Sequence, residues 1–233
     1  TEIRQRKDSF RDPLRGQPAQ EATMEGSTHH MKLFYSQASP FTRKVVVFIK
    51  ELGLENKVEL VKVASTVLDQ NADLAASNPV AKIPTLVLEN GKSLYDSRVI
   101  TAYLDSLVAS PSLYPSAGEA RWDVLAMEAM ADGMMDAAVN ARYERGLRPA
   151  EKQWDDWVNG QMKKVHGALK AFDAATASFG DRIDAGIIGA ACACGYLDFR
   201  YPDLGWREIH PALGVWYAKF SARKSMQETK PPS

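Results

Sequence analysis

Pro84 constrains this chain more than any other residue. It heads an apolar run, Thr85-Leu86-Val87-Leu88, and follows a loop, Asn78-Pro79-Val80-Ala81-Lys82-Ile83, that carries another proline. Proline cannot donate to a sheet ladder, so it is excluded from the middle of a central strand. At the first position only an expendable donor is lost. The stretch therefore reads as a loop entering a buried strand. X-Pro is also the one common site of a cis peptide. A cis Ile83–Pro84 bond turns the Ile83 backbone outward, leaving its N–H and C=O unpaired in the sheet. Such groups beside a strand form a rail for a peptide-like ligand. Eight residues after the strand, Asp96-Ser97 opens a helix and supplies the other half of a site.

The surrounding pattern builds a small mixed sheet. Lys32 to Tyr35 reads as a strand, and Ser36-Gln37-Ala38 breaks it. Ser39-Pro40 then starts a helix, with a hydroxyl at the N-cap and proline at the first helical position. Its apolar residues, Val45 to Ile49 and Leu52, cover most of its circumference, and Gly53 stops it. A helix this apolar packs against both a sheet and a second layer. Val58 to Val63 reads as the next strand, so strand–helix–strand makes a parallel unit. A short helix is expected over Leu68–Ala76. Asn90-Gly91 then turns the Pro84 strand into a hairpin with Ser93-Leu94-Tyr95. Ser97 to Leu107 is a third helix, with Val99, Ile100, Tyr103, Leu104 and Leu107 as its buried stripe.

Pro111, Pro115 and Gly118 punctuate a linker, and the remaining pattern is helical. One long helix runs from Glu119 to about Arg145. A second covers Glu151–Ala177, with Trp154, Trp157, Val158, Met162, Val165, Leu169 and Phe172 near heptad spacing. Ile187–Phe199 is compact and apolar, the central helix of a bundle. Pro211–Phe220 is the last helix, before a tail with lysine and proline. The boundaries expected are 31–109 for the first domain and 117–225 for the second.

Composition excludes several functions. Formal net charge is zero across 233 residues, so no basic groove for nucleic acid and no anionic-membrane surface is indicated. No apolar run nears the ~20 residues a membrane span needs. Cys192 and Cys194, two apart on a helix, face different ways. They fit neither a zinc site nor a disulfide and read as buried thiols of a cytoplasmic protein. His166 and His210 lack any partner pattern, and no metal is expected. Residues 1–30 are polar, without apolar periodicity. Their basic residues Arg4, Arg6, Lys7, Arg11 and Arg15 are balanced by acids. They read as a leader or an added segment outside the fold, and neither as a transit peptide nor as a secretory signal.

Three motifs, Ser39-Pro40-Phe41-Thr42-Arg43-Lys44, Ile83-Pro84 and Asp96-Ser97, stand at set separations within the strand–helix order above. Followed by an all-helical half, they resemble the glutathione S-transferase family. The end of the chain, Gly195 to Pro202 and then His210-Pro211-Ala212-Leu213 and Trp216, looks like that of many bacterial members. The resemblance implies an α/β thioredoxin-like N-terminal domain plus an all-α C-terminal helical bundle. It further implies a cytoplasmic homodimer that adds the glutathione thiolate to a small hydrophobic electrophile.

The implied roles fall on particular residues. Ser39 would donate to the glutathione sulfur, helped by the positive end of its helix. Tyr35 and Ser36 are the alternatives. Ile83 would pair its backbone with the cysteinyl part, held by Pro84. Ser97 would take the γ-glutamyl carboxylate, Asp96 would face the ammonium, and Lys82 would reach the glycyl carboxylate. Arg98 is a further candidate for the γ-glutamyl end. Met130, Met134, Arg142 and Tyr143 would line the electrophile pocket. No cysteine occurs near Ser39, which speaks against chemistry through a mixed disulfide. The same cradle could serve a glutathione-dependent isomerase or dehalogenase, or a non-catalytic scaffold. One departure concerns folding: where the family opens its central helix with a capping box, this chain has Asp184 and Ile187. Asp184 can cap, but Ile187 cannot return the second bond, at a cost of roughly 0.5–1 kcal/mol.

Overall fold

The computed structural model describes residues 30–110 and 112–232. The expectation of a leader falls on residues 1–29 and lies outside the described residues. Strand β1 (Met31–Tyr35) leads through Ser39 into α1 (Pro40–Glu51). Then follow β2 (Val58–Lys62), α2 (Ala72–Ser77), β3 (Thr85–Val87), β4 (Ser93–Leu94) and α3 (Ser97–Ser106). The sheet order is β2-β1-β3-β4. β1 runs parallel to β2, and β3 runs antiparallel to both β1 and β4. The hairpin turns at Gly91, whose φ of 80° is open to glycine at little cost.

The helical half comprises α4 (Glu119–Gly146), α5 (Asp155–Ala175), α6 (Ala185–Arg200), α7 (Trp206–Ile209), α8 (Pro211–Ser221) and α9 (Lys224–Gln227). α6 is central, with Ala185 through Leu197 all buried, and it packs against α4 and α1. Asp184 caps it, accepting from the Ile187 N–H at 2.9 Å. Val45, Val47 and Phe48 are buried between the sheet and this bundle, as a helix apolar on most sides requires. Cys192 and Cys194 are free and buried, and burial pushes the Cys192 thiol up to about 11.

Several boundaries differ from expectation. α2 begins at Ala72, because Asn71 caps it by accepting from Leu74 N while Thr66 Oγ1 captures the N–H groups of Leu68 and Asp69. α5 begins at Asp155, after a 3-10 turn at Ala150–Lys152. Trp154 and Trp157 stay exposed, so the buried stripe of α5 is Val165, Leu169 and Phe172. Val99 is also exposed, and Thr101 takes the buried place on α3. The tail is not loose. Arg223 forks onto the Glu51 carboxylate at 3.0 and 2.9 Å, Ser225 donates to the same group, and Met226 is fully buried.

Candidate glutathione site

Strand pairing assembles the site. Phe34 faces Thr85 in the β1–β3 ladder, so the end of β1 lies beside the start of β3. The loop from Ser36 to Ser39 therefore adjoins Ile83. The Ile83–Pro84 peptide is cis, and so is Tyr95–Asp96. The ladder begins at Thr85, one residue later than Pro84 was expected to start it. Ile83 makes no backbone hydrogen bond among the described residues.

Two residues missed from the sequence fix this rail. Asn78 and Thr85 are both fully buried. Asn78 Nδ2 donates to Lys82 O at 3.0 Å and to Thr85 Oγ1 at 2.9 Å, and Thr85 Oγ1 donates to Lys82 O at 2.8 Å. The Val80 N–H donates to Asn78 Oδ1 at 3.1 Å. Inside this clasp Ala81 holds a φ of 48°, in the left-handed region that costs a non-glycine residue about 1 kcal/mol. Their signal in the sequence was a polar pair flanking the two prolines.

At the α1 end, Ser39 has extended backbone, and its Oγ accepts from the Thr42 N–H at 3.3 Å. Its O–H donates to nothing among the described residues, so capping leaves the proton available. Ser36 shapes the turn before α1. Its Oγ accepts from Ala38 N, and its carbonyl accepts from Ser39 N at 3.1 Å and from Thr42 Oγ1 at 2.6 Å. Tyr35 is half-buried and packs against the core.

At the α3 end, Ser97 is 2% exposed, and its hydroxyl has no partner among the described residues. Asp96 caps the helix, accepting from the Arg98 N–H at 3.0 Å and from its Nη2 at 3.1 Å. Burial works to raise the Asp96 pKa, but these bonds and the Arg98 charge outweigh it and hold the carboxyl below its usual range. It thus remains an anion at neutral pH. Lys82 is exposed and forms no ion pair among the described residues.

A buried ionic knot joins the two helix ends and was not anticipated. Lys44 is fully buried, with Nζ 3.0 Å from Glu128 and 2.7 Å from Asp132 on α4. Arg98 Nε lies 3.6 Å from the other Asp132 oxygen. Tyr114 donates to Glu128 at 2.8 Å, and Thr101 shares a hydrogen bond with Tyr114. Burial raises the Asp132 pKa despite the Lys44 charge, and it also raises that of Tyr114.

Of the candidates for the electrophile pocket, Met134 is 2% exposed and belongs to the core, under any surface a ligand meets. Met130, Arg142 and Tyr143 are half-buried. Arg142 lies over Gly146, where a Cβ would come 2.8 Å from its Nη1. The end of α6 is tied to the body of α4 where the Tyr201 hydroxyl donates to Ala138 O at 2.6 Å. Nearby, Arg200 stacks on Phe199 at 3.8 Å.

A two-layer α/β unit with a cis-proline rail and a serine-capped helix, joined to a helical bundle, defines the class. The N-terminal domain model of glutathione S-transferases matches residues 38–107, and the C-terminal domain model matches residues 138–219. An uncharacterized GST-like protein of Escherichia coli, YibF, is 33% identical over 207 residues, covering 87% of this chain and 99% of that protein. A glutathione transferase family member from Pseudomonas fluorescens Pf-5, solved with bound glutathione, is 46% identical with a TM-score of 0.86, covering 87% of this chain and all of that one. A glutathione S-transferase from Methylobacillus flagellatus, solved with glutathione bound, is 36% identical with a TM-score of 0.78, over 87% of this chain and 100% of its own. This chain belongs to the glutathione S-transferase family.

Proposed function

We propose that this protein is a glutathione transferase that adds the glutathione thiolate to a small hydrophobic electrophile. One observation carries the reading: three polar groups at the ends of α1, β3 and α3 have no partner among the described residues. These are the Ser39 O–H, the Ile83 backbone and the Ser97 hydroxyl. Glutathione offers a thiol, a peptide backbone and a γ-glutamyl carboxylate to match them. Relatives solved with glutathione bound support it.

In this reading the α1 end stabilises the thiolate through the Ser39 hydroxyl and the positive end of the helix, where Pro40 has no N–H and those of Thr42 and Arg43 bond to Ser39. Ile83 pairs with the cysteinyl backbone, and Pro84 holds it there. Ser97 and the α3 end take the γ-glutamyl carboxylate, Asp96 faces the ammonium, and Arg98 steadies Asp96. Lys82 reaches the glycyl carboxylate. The electrophile meets Met130, Arg142 and Tyr143. Tyr35, whose hydroxyl has no partner among the described residues, is the second choice for activating the sulfur.

Calorimetric titration tests the cradle. Wild type binds glutathione, and Ser97→Ala binds it about 10- to 100-fold more weakly, the worth of a hydrogen bond to a charged group. A protein that does not bind glutathione, or a variant that binds it unchanged, refutes the reading. The proposal includes a homodimer. Trp122 on α4 and Val99 on α3 are left 68% and 48% exposed, apolar area that a second copy would cover. Sedimentation should give twice the 25.7 kDa chain mass, and a monomer would remove this part.

A further inference from the structure

Arg43 turns away from the glutathione site. It is 6% exposed, and its side chain crosses from α1 to the end of the chain. Nη2 donates to Met226 O at 3.0 Å and Nε to Thr229 Oγ1 at 3.4 Å. Both partners are neutral, and Arg43 forms no ion pair among the described residues. A buried guanidinium without a counter-charge is costly and calls for a cause.

Its remaining nitrogen, Nη1, points at the bare face of Gly195. A Cβ on Gly195 would collide with Nη1 and lie 2.7 Å from the Tyr217 hydroxyl. Two donors therefore converge on one point, and neither has a partner among the described residues. Tyr217 is 5% exposed, and burial pushes it up to about 12, so it keeps its proton. The point opens into a cavity of about 340 Å³ whose lining includes Arg207, Asp198, Gln227 and Lys230. Arg207 is already neutralised, forking onto Asp198 with both contacts at 2.6 Å. Asp198 also accepts from Trp206 Nε1 at 2.9 Å. Lys230 is exposed and makes no ion pair among the described residues. Among the described residues the cavity thus holds two cations without an ion pair and one hydroxyl without a partner, while the one carboxylate in its lining is spent.

We propose that this cavity between α1, α6, α8 and the C-terminal segment binds a small tetrahedral oxyanion, a phosphate or sulfate group. Arg43 Nη1, the Tyr217 hydroxyl and Lys230 are its donors. Gly195, having no side chain, lets the Arg43 guanidinium and the Tyr217 hydroxyl pack against its backbone and so meet at the cavity wall. The site is separate from the glutathione cradle but shares α1 with it: the Arg43 N–H donates to Ser39 O at 3.0 Å.

Thermal unfolding and calorimetry of the full chain test this, using inorganic phosphate against sodium chloride at matched ionic strength. Phosphate at ten times its Kd should raise the Tm by about 3–5 °C beyond the chloride control. Tyr217→Phe and Lys230→Ala each remove one donor without opening the core. Each should weaken phosphate at least about fivefold while leaving the Tm in chloride and the glutathione affinity near wild type. Arg43→Met would confound loss of the site with loss of the C-terminal clasp, so the other two variants carry the result. Glycerol phosphate is the second arm. Tighter binding than inorganic phosphate assigns the natural ligand to organic phosphates, and weaker binding assigns it to the free ion. Three results overturn the proposal. Phosphate does no more than chloride, both variants bind it like wild type, or saturating glutathione abolishes the effect.

Discussion

Ser39→Ala should lower kcat for a model electrophile by about 10²- to 10³-fold, with the KM for glutathione changed by less than about threefold. The split follows from the geometry. The cap oxygen accepts from Thr42 N through a lone pair, while its proton has no acceptor among the described residues. A thiolate is the natural acceptor, and the bond strengthens as charge collects on sulfur. An unperturbed thiol titrates near ~8.5, so an enzyme working at neutral pH must bring that value down. A lowered pKa is a preference for the anion. In wild type, ultraviolet thiolate absorbance should therefore appear well below pH 8.5, and in the variant it should move up towards that value. Losing the cap costs about 1 kcal/mol of stability, too little to unfold the chain, so the rate can be read cleanly. Tyr35→Phe and Ser36→Ala serve as controls. Ser36 Oγ likewise accepts one N–H, from Ala38, but lies off the α1 N-cap, so its loss should matter less than that of Ser39. A Ser39→Ala protein with full activity and an unshifted thiolate titration would move the role to Tyr35 or to the helix end alone.

What could be read from the sequence divides by range. Pro84, Gly91, Ser39-Pro40 and Asp96-Ser97 each limit their own backbone, so they revealed the loop, the hairpin and two helix starts. Parallel pairing of β1 and β2 followed from the helix between them. Errors arose where a local preference met a competitor. Thr66 and Asn71 moved the start of α2. Trp154 and Trp157 kept heptad spacing yet stayed at the surface, because periodicity reports a face and not what covers it. The central features that stayed hidden are long-range. Lys44 sits in an apolar helix, 84 positions from Glu128 and 88 from Asp132. Glu51 meets Arg223 across 172 positions. A charge in an apolar stretch was the visible sign, but nothing local named its partner. Likewise Asn78 and Thr85 read as loop polarity until their bonds to Lys82 O were seen.

Lys44→Met should destabilise the fold by about 3–5 kcal/mol at neutral pH, the largest stability effect expected from a single change here. The methionine fills most of the space, so the loss is electrostatic. Glu128, 1% exposed, would remain with Asp132 and without the ammonium that both face at 3.0 and 2.7 Å. Among the described residues, Arg98, 3.6 Å from Asp132, and the Tyr114 and Thr101 hydroxyls, which donate to Glu128, would be left to them. Asp132 is already raised by burial in wild type, and removing the Lys44 charge pushes it further up. A carboxyl whose folded pKa exceeds its unfolded value binds more protons when folded, so stability falls as pH rises through that window. The deficit of the variant relative to wild type should therefore be smallest near pH 4–5 and grow towards pH 8. Urea unfolding at both ends of that range measures it. Lys44→Met with Glu128→Gln and Asp132→Asn should recover most of the loss, since removing every charge leaves none unpaired. Because Asp132 also holds Arg98 on α3, the triple variant, which lacks that carboxylate, should bind glutathione more weakly than its folded fraction explains. A Lys44→Met protein within about 1 kcal/mol of wild type at pH 8 would mean that water reaches the knot and that the two helix ends are positioned by apolar packing alone.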